Sequence, residues 1–118
     1  MSRVKLTHVL TAIALAVIAI GASTRLVQAR RQATVPAANV SIDNFKFEPS
    51  TLEVTAGTKV TWTNGDDEPH VIVSVAKSLF ASRPLDTGDT FSQVFKETGT
   101  YEYYCSLHPH MTAKIVVK

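Results

Sequence analysis

From residue 40 to the end of the chain, apolar side chains recur at every second position in short runs, and no stretch keeps a helical period. Val40 and Ile42 share one phase and Phe45 and Phe47 the other, so the switch around Asn44 predicts a β-bulge. Leu52 alternates with Val54, and Val60 with Trp62. Val71, Val73 and Val75 alternate with Ile72, while Phe91, Gln93 and Phe95 form a further run. Tyr101 and Tyr103 alternate with Tyr104, and Met111, Ala113, Ile115 and Val117 carry the pattern onward. Ala56-Gly57-Thr58, Asn64-Gly65 and Thr98-Gly99 punctuate these runs as turns. Alternation at period two gives each strand one face for a core and one for water. Short strands at regular spacing therefore predict an all-β sandwich or barrel. Trp62, Tyr101, Tyr103 and Tyr104 read as core or edge packing. The stretch from Ser74 to Asp86 carries the weakest pattern.

The N-terminal third has a different character. Residues 1 to 31 hold Arg3, Lys5, Arg25, Arg30 and Arg31 and no acidic residue, and Val9 to Ala22 is almost unbroken apolar sequence. A basic start followed by an apolar run of this length has the form of a secretory signal. The run is short for a membrane span, which needs roughly 20 apolar residues. Residues 1–29 are read as a signal peptide cleaved after Ala29, with Gly21-Ala22-Ser23 as a second cleavage position and an uncleaved anchor as the alternative. Arg30-Arg31 follows the apolar run, which excludes a twin-arginine signal. Residues 30–38 read as a linker around Pro36, and 39–118 as the folded domain.

This division changes the meaning of the charge. The whole chain of 118 residues is formally +2, but from Gln32 onward seven basic residues stand against all ten acidic ones, a net −3. A nucleic-acid binder would show a basic excess, so that class is excluded. The chain has one cysteine, so no internal disulfide framework is possible.

That cysteine lies in Cys105-Ser106-Leu107-His108-Pro109-His110-Met111, which gathers four of the five histidine, cysteine and methionine side chains of the exported segment. The fifth, His70, follows Pro69 at the start of a predicted strand. Thiolate, imidazole and thioether together suit copper. A trigonal His2Cys set with a weak axial Met is the blue-copper arrangement. His70, Cys105 and His108 supply the trigonal donors on this reading, and Met111 the axial one. His110 reads as an exposed loop residue, with a docking role or a weak second metal contact as the sharper alternative. Asp66-Asp67-Glu68 reads as a solvated turn, with an acidic rim that steers a basic partner as its alternative.

Three stretches carry a family resemblance. Phe47-Glu48-Pro49 and Gly57-Thr58-Lys59-Val60-Thr61-Trp62-Thr63-Asn64 with Pro69-His70 form the first half, and Gly99-Thr100-Tyr101-Glu102-Tyr103-Tyr104-Cys105 leads into the C-x-x-H-x-x-M loop. Over residues 40 to 118 the chain resembles the amicyanin and plastocyanin group of type 1 copper proteins, in the cupredoxin superfamily. The resemblance implies a Greek-key β-sandwich with one copper ion at one end, held by His70, Cys105, His108 and Met111. It implies a periplasmic monomer that carries single electrons between redox proteins such as a cytochrome c, a dehydrogenase or an oxidase. It also implies an apolar face around the second histidine ligand, for which Leu107, Pro109 and Pro69 are the candidates. The chain departs from the family pattern at three positions. Val71 stands where an asparagine usually ties the two ligand loops together, Leu107 where proline is common, and His110 where amicyanins place a larger apolar residue.

Two other functional classes bear on the same residues. A copper-binding protein for storage, delivery or sensing could use the same ligands, and Val71 and His110 keep that alternative open. An enzyme is disfavoured, because one small sandwich without a second copper-ligand cluster offers little for substrate chemistry. A dinuclear copper centre needs two cysteines.

Overall fold

The computed structural model describes residues 34–76 and 79–118. The signal-peptide reading of residues 1–29 lies outside the described residues. Among the described residues no helix is long and apolar enough to cross a membrane.

Eight strands form among the described residues: β1 (Ala37–Asp43), β2 (Lys46–Glu48), β3 (Thr51–Val54), β4 (Thr58–Asn64), β5 (Ile72–Ser74), β6 (Thr90–Phe95), β7 (Gly99–Cys105) and β8 (His108–Val117). They make two four-stranded sheets, ordered β2-β1-β4-β6 and β3-β8-β7-β5. Every connection from β2 to β7 changes sheet, so β1 comes to lie parallel to β4, and β3 parallel to β8. The expected Greek-key sandwich is what the alternating pattern builds. β1 begins at Ala37, inside the segment read as linker, because Ala37 and Ala38 pair with Lys59 and Val60 of β4.

The inward phase of each strand meets in one core. Val40 lies opposite Trp62 in the β1–β4 pair, and Trp62 lies opposite Phe91 in the β4–β6 pair, which places all three on one face. Trp62 is fully buried, and its ring lies 5.4 Å from that of Tyr103 across the sandwich, edge to face. Phe80, Phe91 and Phe95 surround it at 6.0, 5.6 and 6.3 Å. In β5 Ile72 and Ser74 are buried, while Val75 beyond the strand is exposed. The weakly patterned stretch after Ser74 supplies Phe80 and Leu85 to the core. Leu85 also exchanges two backbone hydrogen bonds with His70, which fixes the backbone of that histidine.

The phase switch at Asn44 is a tight hairpin and not the predicted bulge. Asp43 pairs with Lys46, and Asn44 and Phe45 between them both have positive φ, 50° and 58°. A two-residue loop with two left-handed positions is the hairpin that suits the natural twist of paired strands. Asparagine tolerates that conformation, whereas an aromatic residue there is strained by about 1–2 kcal/mol. Phe45 therefore does not follow Phe47 into the core but stands at the surface, 45% exposed.

Tyr103 leads to a stability prediction. Its hydroxyl and the Trp62 Nε1–H are both buried, and neither has a partner of hydrogen-bonding geometry. Burial pushes the Tyr103 hydroxyl up to about 12, and the nearby indole N–H offsets only part of this. The folded state thus resists phenolate formation. Stability is complete below the unfolded-chain value near 10 and falls as pH rises toward the folded value, by roughly 2–3 kcal/mol in all. Tyr103→Phe removes an unpaired polar group, so it should be neutral or slightly stabilising at pH 7. It should also flatten the loss between pH 10 and 12. Urea denaturation of both proteins at pH 7 and 11 measures this, and an equal alkaline loss in the variant would refute it.

Candidate metal centre

The C-x-x-H spacing acquires its meaning at the β7–β8 hairpin. Cys105 and His108 are register partners across a reversal made by Ser106 and Leu107, with a register shift between Tyr104 and Cys105. Two residues opposite each other in a strand pair carry neighbouring side chains. Cys105 is also the register partner of Ile72 in β5, two residues after His70. The strand pairing thus gathers two donors from one hairpin and one from an adjacent edge.

The Sγ of Cys105 lies 3.6 Å from Nδ1 of His70 and 3.7 Å from Nδ1 of His108. All three donor atoms lie within 4.8 Å of one another. Cys105 and His70 are fully buried, and His108 is half-buried. Met111 follows three residues into β8 and is buried in the same core cluster as Cys105. His110 is exposed as expected, but it lies in strand β8 and not in a loop.

Val71 does not leave the two ligand loops untied. Its backbone N–H donates to Cys105 Sγ at 3.4 Å, and its carbonyl accepts the Ser106 N–H at 3.1 Å. The main chain therefore bridges the loops without an asparagine side chain, and the N–H lowers the electron density on the sulfur.

Asp66 corrects the sequence reading most sharply. It was expected in a solvated turn, but its side chain is turned inward and is only 10% exposed. Its Oδ1 accepts the Asn44 N–H at 2.6 Å, and its Oδ2 accepts the Phe45 N–H at 2.9 Å. Oδ2 also lies 2.8 Å from Nε2 of His70. Partial burial pushes the Asp66 carboxyl up, but the hydrogen bonds from Phe45, His70 and Asn44 outweigh it and hold the group below the usual carboxylate range. An ionised carboxylate only accepts, so His70 donates from Nε2 and leaves Nδ1 as a bare lone pair facing the sulfur.

Buried Asn64 shapes this turn. Its Nδ2 donates to the carbonyls of Glu68 and Leu85, and its Oδ1 accepts the Asp66 N–H. Gly65 allows the close passage: a Cβ there would lie 3.1 Å from the Ile42 carbonyl oxygen. Asp67 and Glu68 remain exposed. Phe45, on the turn held by Asp66, packs edge-on against both His70 and His108, at 5.5 and 5.0 Å between ring centroids. Neither Asp66 nor Phe45 was singled out as part of the site from sequence. The positive-φ turn that links them has no signal stronger than an Asn before an out-of-phase Phe.

The family model of the Cupredoxin-like domain matches residues 11–117. This chain belongs to the cupredoxin family. Amicyanin-alpha of Methylorubrum extorquens is 33% identical over 96 residues, covering 77% of this chain and 80% of that protein. Amicyanin of Paracoccus denitrificans is 35% identical over 83 residues, covering 67% of this chain and 63% of that protein. Among solved structures, a purple cupredoxin from Nitrosopumilus maritimus is 41% identical with a TM-score of 0.66, covering 69% of this chain and 99% of that one. A reduced amicyanin variant gives a TM-score of 0.67 at 33% identity, covering 74% and 87%.

The cofactor of this cupredoxin is one copper ion. The donor spacing tests whether these residues suit it. With metal–sulfur and metal–nitrogen bonds of about 2.3 and 2.0 Å, bond angles between tetrahedral and trigonal put sulfur and nitrogen about 3.5–3.7 Å apart. The separations of 3.6 and 3.7 Å match that span. One thiol and two imidazoles form a soft, low-coordinate set that favours copper over magnesium or calcium.

Proposed function

We propose that this cupredoxin is an exported, periplasmic one-electron carrier whose copper ligands are His70, Cys105, His108 and Met111. The observation that carries the reading is the gathering of the Cys105, His70 and His108 donor atoms within 4.8 Å, from two strand positions and a histidine bridged to Leu85 just before β5. The copper ion supplies the redox change, taking up and releasing one electron. The protein's part is to hold the donors so that little atomic movement accompanies that change. His70 is held by two backbone bonds to Leu85 and by Asp66, and Cys105 by Val71 and by its place in β7. Buried surroundings keep water from the sulfur.

The exit for the electron is the half-buried His108. Its neighbours Leu107 and Phe45 are 50% and 45% exposed, so the ring emerges within an apolar face on which a redox protein can dock. A cytochrome c, a dehydrogenase or an oxidase suits the partner role, and a monomer leaves the face open. The relatives' standing as small copper proteins supports a carrier and not an enzyme.

Titration of the purified protein with Cu(II) tests this reading. The expected product has one copper per chain, an intense band toward the red end of the visible spectrum, and complete, reversible bleaching by one electron. A folded protein that takes up Cu(I) tightly but shows no such band with Cu(II) would replace the carrier reading by storage, delivery or sensing.

A further inference from the structure

We propose that Asp66 is a positioning residue of the copper centre, one carboxylate that both orients His70 and pins the Phe45 turn over the two histidines. The inference rests on the ligand reading above and goes beyond it.

The geometry is a three-way clamp. One carboxylate receives two backbone N–H groups, from Asn44 and Phe45, and the outer ring nitrogen of His70. Each of these bonds is charge-assisted, and such bonds are roughly twice as strong as neutral ones. The two amides belong to successive left-handed residues, so the carboxylate offsets the strain of placing an aromatic residue there. The ring of that residue in turn packs on His70 and His108. The carboxylate is itself held, since the Asp66 N–H donates to buried Asn64 and its carbonyl accepts the Thr87 hydroxyl. The clamp therefore connects β1–β2, the turn after β4 and the first histidine through fixed contacts.

Two consequences follow for the centre. A carboxylate on the far nitrogen fixes the ring tautomer and raises the basicity of the donor nitrogen, and loss of such a partner typically costs about 10- to 100-fold in metal affinity. A negative charge this close also favours the more positive oxidation state, so Asp66 holds the potential down. Asparagine cannot replace it. The two oxygens receive three N–H donors, and an amide presents an –NH2 group to at least one of them.

The test compares the whole protein with Asp66→Asn and Asp66→Ala, using Cu(II) alone as the probe. Both variants should retain the visible band, because the four ligands remain. Cu(II) affinity, read by competition with a chelator, should fall by about 10-fold or more. The Cu(I)/Cu(II) equilibrium should shift about tenfold toward Cu(I), which for a one-electron couple is a rise of about 59 mV. The metal-free wild type gives an independent readout. Nitrogen NMR should find the neutral His70 ring protonated at Nε2, with that proton slow to exchange, and Asp66→Asn should speed its exchange. A wild type with the Nδ1–H tautomer would overturn the proposal even if neither variant folds. So would variants with unchanged affinity and potential. A missing band in copper-loaded wild type would instead overturn the ligand reading, and the metal-free His70 signal would still judge the clamp.

Discussion

Cys105→Ser will abolish the intense visible band while leaving the metal-free domain folded. On the proposed ligand set the sulfur is the donor whose covalent bond to copper gives the colour, and a serine hydroxyl stays protonated and hard where a thiolate is soft. The site tolerates the change in the absence of metal. Serine is nearly the same size, and its oxygen can accept the Val71 N–H that now points at Sγ. The metal-free variant should therefore lie within about 1 kcal/mol of the metal-free wild type. With copper the two diverge. A ligand that binds only the folded state stabilises it by about 2.7 kcal/mol when present at 100 times its dissociation constant. Copper should raise the thermal midpoint of the wild type and leave that of the variant nearly unmoved. A red band surviving in the variant would remove Cys105 from the ligand set, whereas a metal-free variant that fails to fold would mean that the thiol is structural.

Trp62→Ala should be the most damaging single change in the core. The side chain is fully buried and touches aromatic rings from both sheets, namely Phe91 and Phe95 of β6 and Tyr103 of β7, together with Phe80. Truncation removes its burial and leaves a void that strands on both sides are too constrained to fill. Losses for such changes are about 3–5 kcal/mol. A small domain has about 5–15 kcal/mol in total, so the variant should be partly unfolded on mild warming. Trp62→Phe should recover much of the loss, because it keeps an aromatic ring and deletes an indole N–H that has no partner. Denaturant midpoints for the three proteins measure the series. A loss below about 1 kcal/mol for the alanine variant would show that the sandwich packs around another centre.

The proposed donors were legible because rare side chains stood together at a chemically specific spacing. Cys105, His108 and Met111 share one short stretch, and a hairpin pairs Cys105 with His108 whatever the rest of the chain does. His70 was legible as a lone histidine after a proline at a strand start. Its far-side partner was not. Asp66 sits among three consecutive acidic residues, and which of them turns inward depends on Asn64, Gly65 and the passage of β1 alongside β4. Phe45 was misplaced for a related reason. Alternation is blind to a two-residue turn, because skipping two positions and reversing direction looks like a change of phase.

The sequence by itself determined the local properties of this protein. These are the two-faced strands, the turns between them, the acidic character that remains once the basic N-terminal segment is set aside, and the identity of the soft donors. Each depends on residue type and spacing along the chain, which a linear reading preserves. The tertiary structure decided which groups complete the centre. Val71 supplies a backbone bridge where a side chain was expected, Asp66 holds a ring nitrogen that spacing cannot assign, and Phe45 covers the histidines from a strained turn. Asp66 and His70 are only four residues apart, but the carboxylate's bonds to Asn44 and Phe45, the Val71–Cys105 bridge and the Phe45 ring contacts join segments more than twenty residues apart, and only folding brings those segments together.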